Sequence, residues 1–149
     1  MSLKASGKVS RRLIVNLRNL DPSSVRFKQA MFFIGNEIRN IAIDNLTKSG
    51  AVASGGLRSS VRFDISQANG ISVLTVGAYG QPHARIVEHG GPFTDKMRRA
   101  MFAKFKDEGR KPKKGKGIIR AKHYKARPYL GPAIEEAQPF IEKILKDLV

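Results

Sequence analysis

Apolar residues recur every three or four positions from Val25 to about Leu46, at Phe27, Met31, Ile34, Ile38 and Ile41, with Ala30 and Ala42 beside them. This spacing draws one apolar stripe along a helix, and Arg26, Glu37, Arg39 and Asp44 fall mainly off it. Asp21-Pro22-Ser23-Ser24 reads as the preceding turn, with Ser23 or Ser24 as the helix cap. Further on the period changes to two. Val61, Phe63 and Ile65 alternate with Arg62 and Asp64, as in a half-buried strand. Gln67-Ala68-Asn69-Gly70 supplies a turn, and Ile71 to Val76 forms the returning strand of a hairpin. Gly77 to Pro82 breaks the pattern.

Shorter elements follow. Ala84 to His89 is expected to form a short helix stopped by Gly90-Gly91-Pro92. Thr94 caps a helix with Met97, Met101 and Phe105 on one face and Arg98, Arg99, Lys104 and Lys106 around it, ended by Gly109. The last helix has Pro132 in its first turn and an apolar face of Ile134, Ala137, Ile141, Ile144, Leu145 and Leu148. Pro139 should kink or split it near Gln138, because proline lacks the N–H that the helix interior needs. Ser49-Gly50 and Ser54-Gly55-Gly56 read as flexible connectors. Near the start, Leu13, Val15 and Leu17 alternate as in a short strand, although Ile14 spoils the strict period. No internal repeat is present.

Charge divides this pattern into parts. The 149 residues carry 28 Lys and Arg against 12 Asp and Glu, a net +16. Residues 1–28 hold seven basic and one acidic residue, and residues 96–127 hold fourteen basic and two acidic. Residues 29–95 balance at five against five. A neutral centre is thus flanked by two cationic segments, which stay solvated and are drawn to polyanions or acidic protein surfaces. The chain reads as a basic N-terminal arm over 1–22 and one domain over 23–149 with a basic insertion at about 94–125. Apolar residues make up 41% of the chain, enough for a core in most of the domain. No signal-peptide run opens the sequence, and none approaches the roughly 18 apolar residues that span a bilayer, so a soluble protein without membrane contact is expected.

Candidate chemistry is sparse. The chain has no cysteine, which excludes disulfides, thiolate metal sites and thiol nucleophiles. His83 and His89 flank Glu88 but lie six positions apart rather than the four usual for a helical ligand pair. His123 sits in a basic segment that disfavours a cation, so neither a metal nor a cofactor is expected. Asp44, Asp64, Glu88 and Asp95 fall on different elements, with no local acid pair for general acid–base work. No Gly-x-Ser-x-Gly elbow surrounds a serine, and the glycine-rich stretches lack phosphate-loop spacing. No catalytic residue is assigned. Glu88 is expected to cap, or to form an ion pair, near the Gly90-Gly91 turn, with Arg127 as one candidate partner. In the basic insertion, Arg110, Lys111, Lys113, Lys114, Lys116, Arg120 and Lys122 are candidates for assembly or polyanion contact. They offer phosphate contacts without sequence reading. Phe102, Phe105 and Tyr124 are the only rings nearby, which argues against a base-stacking platform. A small basic nucleic-acid-binding module without sequence specificity remains the alternative reading.

Three short blocks carry a resemblance. In order they are Ser54-Gly55-Gly56-Leu57-Arg58-Ser59-Ser60-Val61, Ala84-Arg85-Ile86-Val87-Glu88-His89-Gly90-Gly91 and Ala126-Arg127-Pro128-Tyr129-Leu130-Gly131-Pro132-Ala133. The chain resembles the virion-morphogenesis and head–tail joining proteins of tailed bacteriophages, a family that includes neck, tail-completion and minor tail proteins. Members show a Gly-x-Leu-x-x-Ser element before a hairpin, a Tyr-Ala-x-x-Val-Glu-x-Gly segment and an Ala-Arg-Pro-(Phe/Tyr)-Leu block. The match covers most of residues 25–149. His83 stands where the family often has tyrosine, His89-Gly90-Gly91-Pro92 replaces a Phe-Gly-Thr, and the stretch from about Thr94 to Tyr124 is long.

The resemblance implies an α+β fold with a long amphipathic helix packed on an antiparallel sheet, to which the residue pattern adds a C-terminal helix and an extended basic loop. It implies a non-enzymatic structural role in tail completion or head–tail joining. The implied partners are further copies in a ring, as a hexamer, and other phage neck or tail proteins; non-specific DNA contact is the expectation from the basic insertion itself. The implied location is the virion, after assembly in the bacterial cytoplasm. Glu88, Gly90, Arg127, Pro128 and Tyr129 would be structural motif residues.

Overall fold

The computed structural model describes residues 2–6, 10–15, 24–50, 55–68, 71–81, 83–92, 94–107, 109 and 123–148. The longest element is helix α1, Val25–Lys48. The Ser24 hydroxyl caps it, accepting from the Phe27 N–H at 3.2 Å. Phe27, Ala30, Met31, Ile34, Gly35, Ile38, Ala42 and Leu46 form its buried stripe, as the periodicity predicts, and Ile41 lies at its margin.

That stripe packs on an antiparallel sheet in the order β1-β2-β4-β3. Its strands are β1 (Ser2–Ser6), β2 (Ser10–Val15), β3 (Val61–Ala68) and β4 (Ile71–Ala78). Strands β3 and β4 form the expected hairpin, paired from Val61 opposite Ala78 to Ala68 opposite Ile71. The turn assigned to Asn69-Gly70 lies outside the described residues. Val61, Leu74 and Val76 are buried under α1, while Arg62 and Asp64 on the other face are exposed. The α+β class, with a long helix on an antiparallel sheet and helices at the C-terminal end, is therefore the observed one.

Gly35 sets how closely helix and sheet approach. A Cβ there would lie 2.6 Å from Cδ2 of the Phe63 ring, so the ring occupies the space a side chain would need. Glycine costs a helix interior about 1 kcal/mol relative to alanine, and here it admits an aromatic ring. The contact is extended by Arg39, whose Nε donates to the Val61 carbonyl at 3.0 Å.

Several elements differ from the sequence reading. The segment read as a basic arm contributes β1 and β2, so the boundary at residue 22 separates two strands from their own sheet. The short strand read at Leu13 and Val15 is present as β2, and β1 is an element that the reading missed. Strand β4 continues through Gly77 and Ala78, two positions past the expected break. The Gly55-Gly56 connector contains helix α2, Gly56–Ser59, entered through Gly55 at φ 70°.

The remaining elements are helix α3 (Ala84–His89), strand β5 (Gly91–Pro92), helix α4 (Asp95–Asp107), strand β6 (His123–Tyr124) and helices α5 (Leu130–Glu136) and α6 (Gln138–Lys146). Thr94 Oγ1 accepts from the Met97 N–H at 3.3 Å, as expected of the α4 cap. Ala137 separates α5 from α6, and Pro139 falls in the first turn of α6, which is the expected split. Both C-terminal helices pack on α1, burying Leu130, Ala133, Ile134, Ala137 and Ile141. Among the described residues, no helix is long and apolar enough to cross a membrane.

Candidate functional site

Two of the three sequence blocks meet at one buried carboxylate. Glu88, in the last turn of α3, is 4% exposed. Its Oε2 accepts the N–H groups of Tyr129 at 2.7 Å and Leu130 at 3.0 Å, and its Oε1 accepts that of Gly131 at 2.9 Å. These are the opening backbone donors of α5, which have no partner within their own helix. Tyr129, at the cap position, offers no side-chain cap of its own. The next residue, Pro132, has no N–H to satisfy. Every donor at this helix start is therefore bonded or absent, and the carboxylate meets the positive end of the helix dipole.

Backbone contacts extend the junction on both sides. The Arg127 N–H donates to the Val87 carbonyl at 2.7 Å. Gly91 pairs with Tyr124, and Pro92 with His123, in the short ladder of β5 and β6. Between these contacts sits Gly90, at φ 69°. A Cβ there would lie 2.8 Å from the Ala126 nitrogen and 3.0 Å from the Tyr124 carbonyl oxygen. Only glycine satisfies both the backbone angle and the close approach. Pro128 is exposed between this ladder and α5.

Arg127 does not pair with Glu88. Its Nη1 donates to the Ser49 carbonyl at the end of α1, 3.0 Å away, and its guanidinium lies 5.8 Å from the centre of the Tyr124 ring. The carboxylate prefers three backbone N–H groups inside the fold, while the cation takes an exposed helix C-terminus, where positive charge is favoured. Of the two roles considered for Glu88, capping is correct. The helix it caps is α5, not the neighbouring turn.

Tyr129 is fully buried, and its hydroxyl is a buried oxygen with no hydrogen-bond partner. Burial, and then the charge of Glu88, push its phenol well above the ordinary tyrosine range. The ring fills the core beneath the junction and keeps its proton.

The basic residues Arg110, Lys111, Lys113, Lys114, Lys116, Arg120 and Lys122 lie outside the described residues. What is described is where their segment leaves and re-enters the domain. Pro92 and His123 sit side by side in the ladder, so the whole stretch between them starts and ends at one point. Among the described residues, no three His, Asp or Glu side chains gather in a way that could hold a metal ion. The chain matches no protein-family model, no curated protein and no solved structure.

Proposed function

We propose that the protein is a non-enzymatic structural component of a phage or prophage, acting in tail completion or head–tail joining during virion assembly. The observation that carries this reading is the junction at Glu88. Two of the three blocks on which the family resemblance rests are joined by that carboxylate, and its oxygens are engaged by three backbone donors. A group so engaged holds a fold together and is not placed for proton transfer to a ligand. The same junction roots the cationic insertion.

In this role the chain assembles as a ring, with a hexamer as the family's implied number, and mates with other neck or tail proteins. Ring contacts are heterologous, so two different faces of each subunit must complement one another. The cationic insertion faces an acidic ring or the DNA channel, where its charge is attracted. The protein works in the virion and assembles there from the bacterial cytoplasm.

Deleting residues 110–117 tests this. The deletion should leave the circular dichroism and melting of the purified domain unchanged while abolishing joined particles. Normal particle yield would count against the role. Duplex-DNA binding at micromolar strength with a steep salt slope, and no ring under the electron microscope, would point to the nucleic-acid module instead.

A further inference from the structure

Strand β3 is an outer strand of the sheet, and its pairing with β4 runs without a bulge from end to end. It contains neither proline nor glycine. The Tyr79 N–H bonds to the Ser60 carbonyl at 3.1 Å, which fixes the alternation. Ser60, Arg62, Asp64 and Ser66 turn their backbone groups to β4, and Val61, Phe63 and Ile65 turn theirs to the open edge. The bond from Arg39 to the Val61 carbonyl fits this alternation and occupies one outward acceptor. The N–H and C=O groups of Phe63 and Ile65 face outward beyond it. A long, regular edge that pairs with no further strand among the described residues is a template for another strand.

An apolar strip lies over the same edge. Phe32 and Phe33 of α1 are 52% and 55% exposed, and Val25, two turns earlier, is 69% exposed. The Phe32 ring stands edge-on to Phe63 at 5.4 Å and to Phe33 at 6.5 Å. An occupant must therefore supply both a strand for the edge and an apolar surface for the helix above it.

We infer that two copies of this chain pair here, β3 against β3, about a two-fold axis passing by Phe63. A second copy supplies both requirements from the same patch, as an isologous contact demands. Charge selects the register. With Phe63 opposite its own counterpart, Arg62 of each copy faces Asp64 of the other on the open side of the sheet. Sliding the partner by two residues sets Asp64 against Asp64, which is unfavourable. In the selected register Val61 faces Ile65, whose N–H shares the Val61 carbonyl with Arg39, and the two Phe63 rings meet beneath Phe32 and Phe33. This pairing does not rest on the virion reading. A polar ring has no two-fold axis between neighbouring subunits, so the pair is the form of the free protein and opens before the chain enters such a ring.

Sedimentation equilibrium of the full chain over a concentration series tests the pairing. The wild type should be a dimer. Phe32→Asp/Phe33→Asp changes only exposed side chains and should weaken the dimer by about 30-fold or more, with an unchanged melting profile. Arg62→Asp alone and Asp64→Arg alone should each weaken it by about tenfold, and the double reversal Arg62→Asp/Asp64→Arg should restore it. A monomeric wild type would overturn the inference, and so would a dimer indifferent to the phenylalanine substitutions. If the double reversal fails to restore pairing, the occupant is a different strand, as in a head-to-tail contact, and the two-fold pairing is wrong.

Discussion

The junction at Glu88 and the edge of β3 treat the same chemical group in opposite ways. At the start of α5, every backbone N–H is either bonded to a carboxylate from another element or removed by proline. Along β3, regular backbone donors and acceptors face outward beside exposed phenylalanines. Buried polar groups are satisfied in folded proteins because an unmade bond there is expensive. An open row is tolerated only where water or a partner reaches it. The contrast separates what holds this molecule together from what it presents to others.

The most severe way to break that contrast is to remove the carboxylate. Glu88→Ala would leave three buried N–H groups without an acceptor, and should destabilise the fold by about 3 kcal/mol or more. Urea unfolding would measure it, and a loss below about 1 kcal/mol would show that water replaces the carboxylate. Gly90→Ala should be next, at about 2–3 kcal/mol, because it combines a φ of 69° with a Cβ 2.8 Å from the Ala126 nitrogen. A Gly90→Ala protein as stable as the wild type would mean that the two blocks can separate without penalty.

The smallest effect has the opposite sign. Tyr129→Phe removes a buried hydroxyl that has no partner, and should stabilise the protein by about 1 kcal/mol. It also predicts a pH dependence. The phenol's pKa is raised in the folded state, so its contribution is intact below the unfolded value of 10.0 and falls as pH rises above it. Wild type should thus lose stability between pH 10 and 11 by about 1 kcal/mol more than Tyr129→Phe does. Parallel alkaline melting curves for the two proteins would remove the basis for a buried, protonated phenol.

How much of this was legible in the sequence follows from the range of each interaction. Helix α1, the hairpin and the break at Pro139 were readable because a stripe of period 3.6, an alternation of period two and a missing N–H are local signals. The partner of Glu88 was not. Its acceptor bonds go to backbone groups 41 to 43 positions away, and backbone N–H groups have no identity in a sequence. One clue was present: Pro128-Tyr129-Leu130-Gly131-Pro132 opens a helix without Ser, Thr, Asp or Asn at the cap, so the cap had to come from elsewhere. Strand β1 left no such signal, whereas the alternation of Leu13 and Val15 marked β2. The ladder of β5 and β6 pairs only two residues on each side, too few to leave a period.

The meeting of Pro92 with His123 has one more consequence. Beyond α4, whose Met97 packs on the core, a segment whose two feet share a single doorstep can lengthen or shorten without moving those feet apart. Doubling such a loop adds only about 0.6 kcal/mol of closure entropy. The position is therefore a natural socket for a grafted peptide or reporter, and lineages could refit it for new neighbours while the framework stays the same.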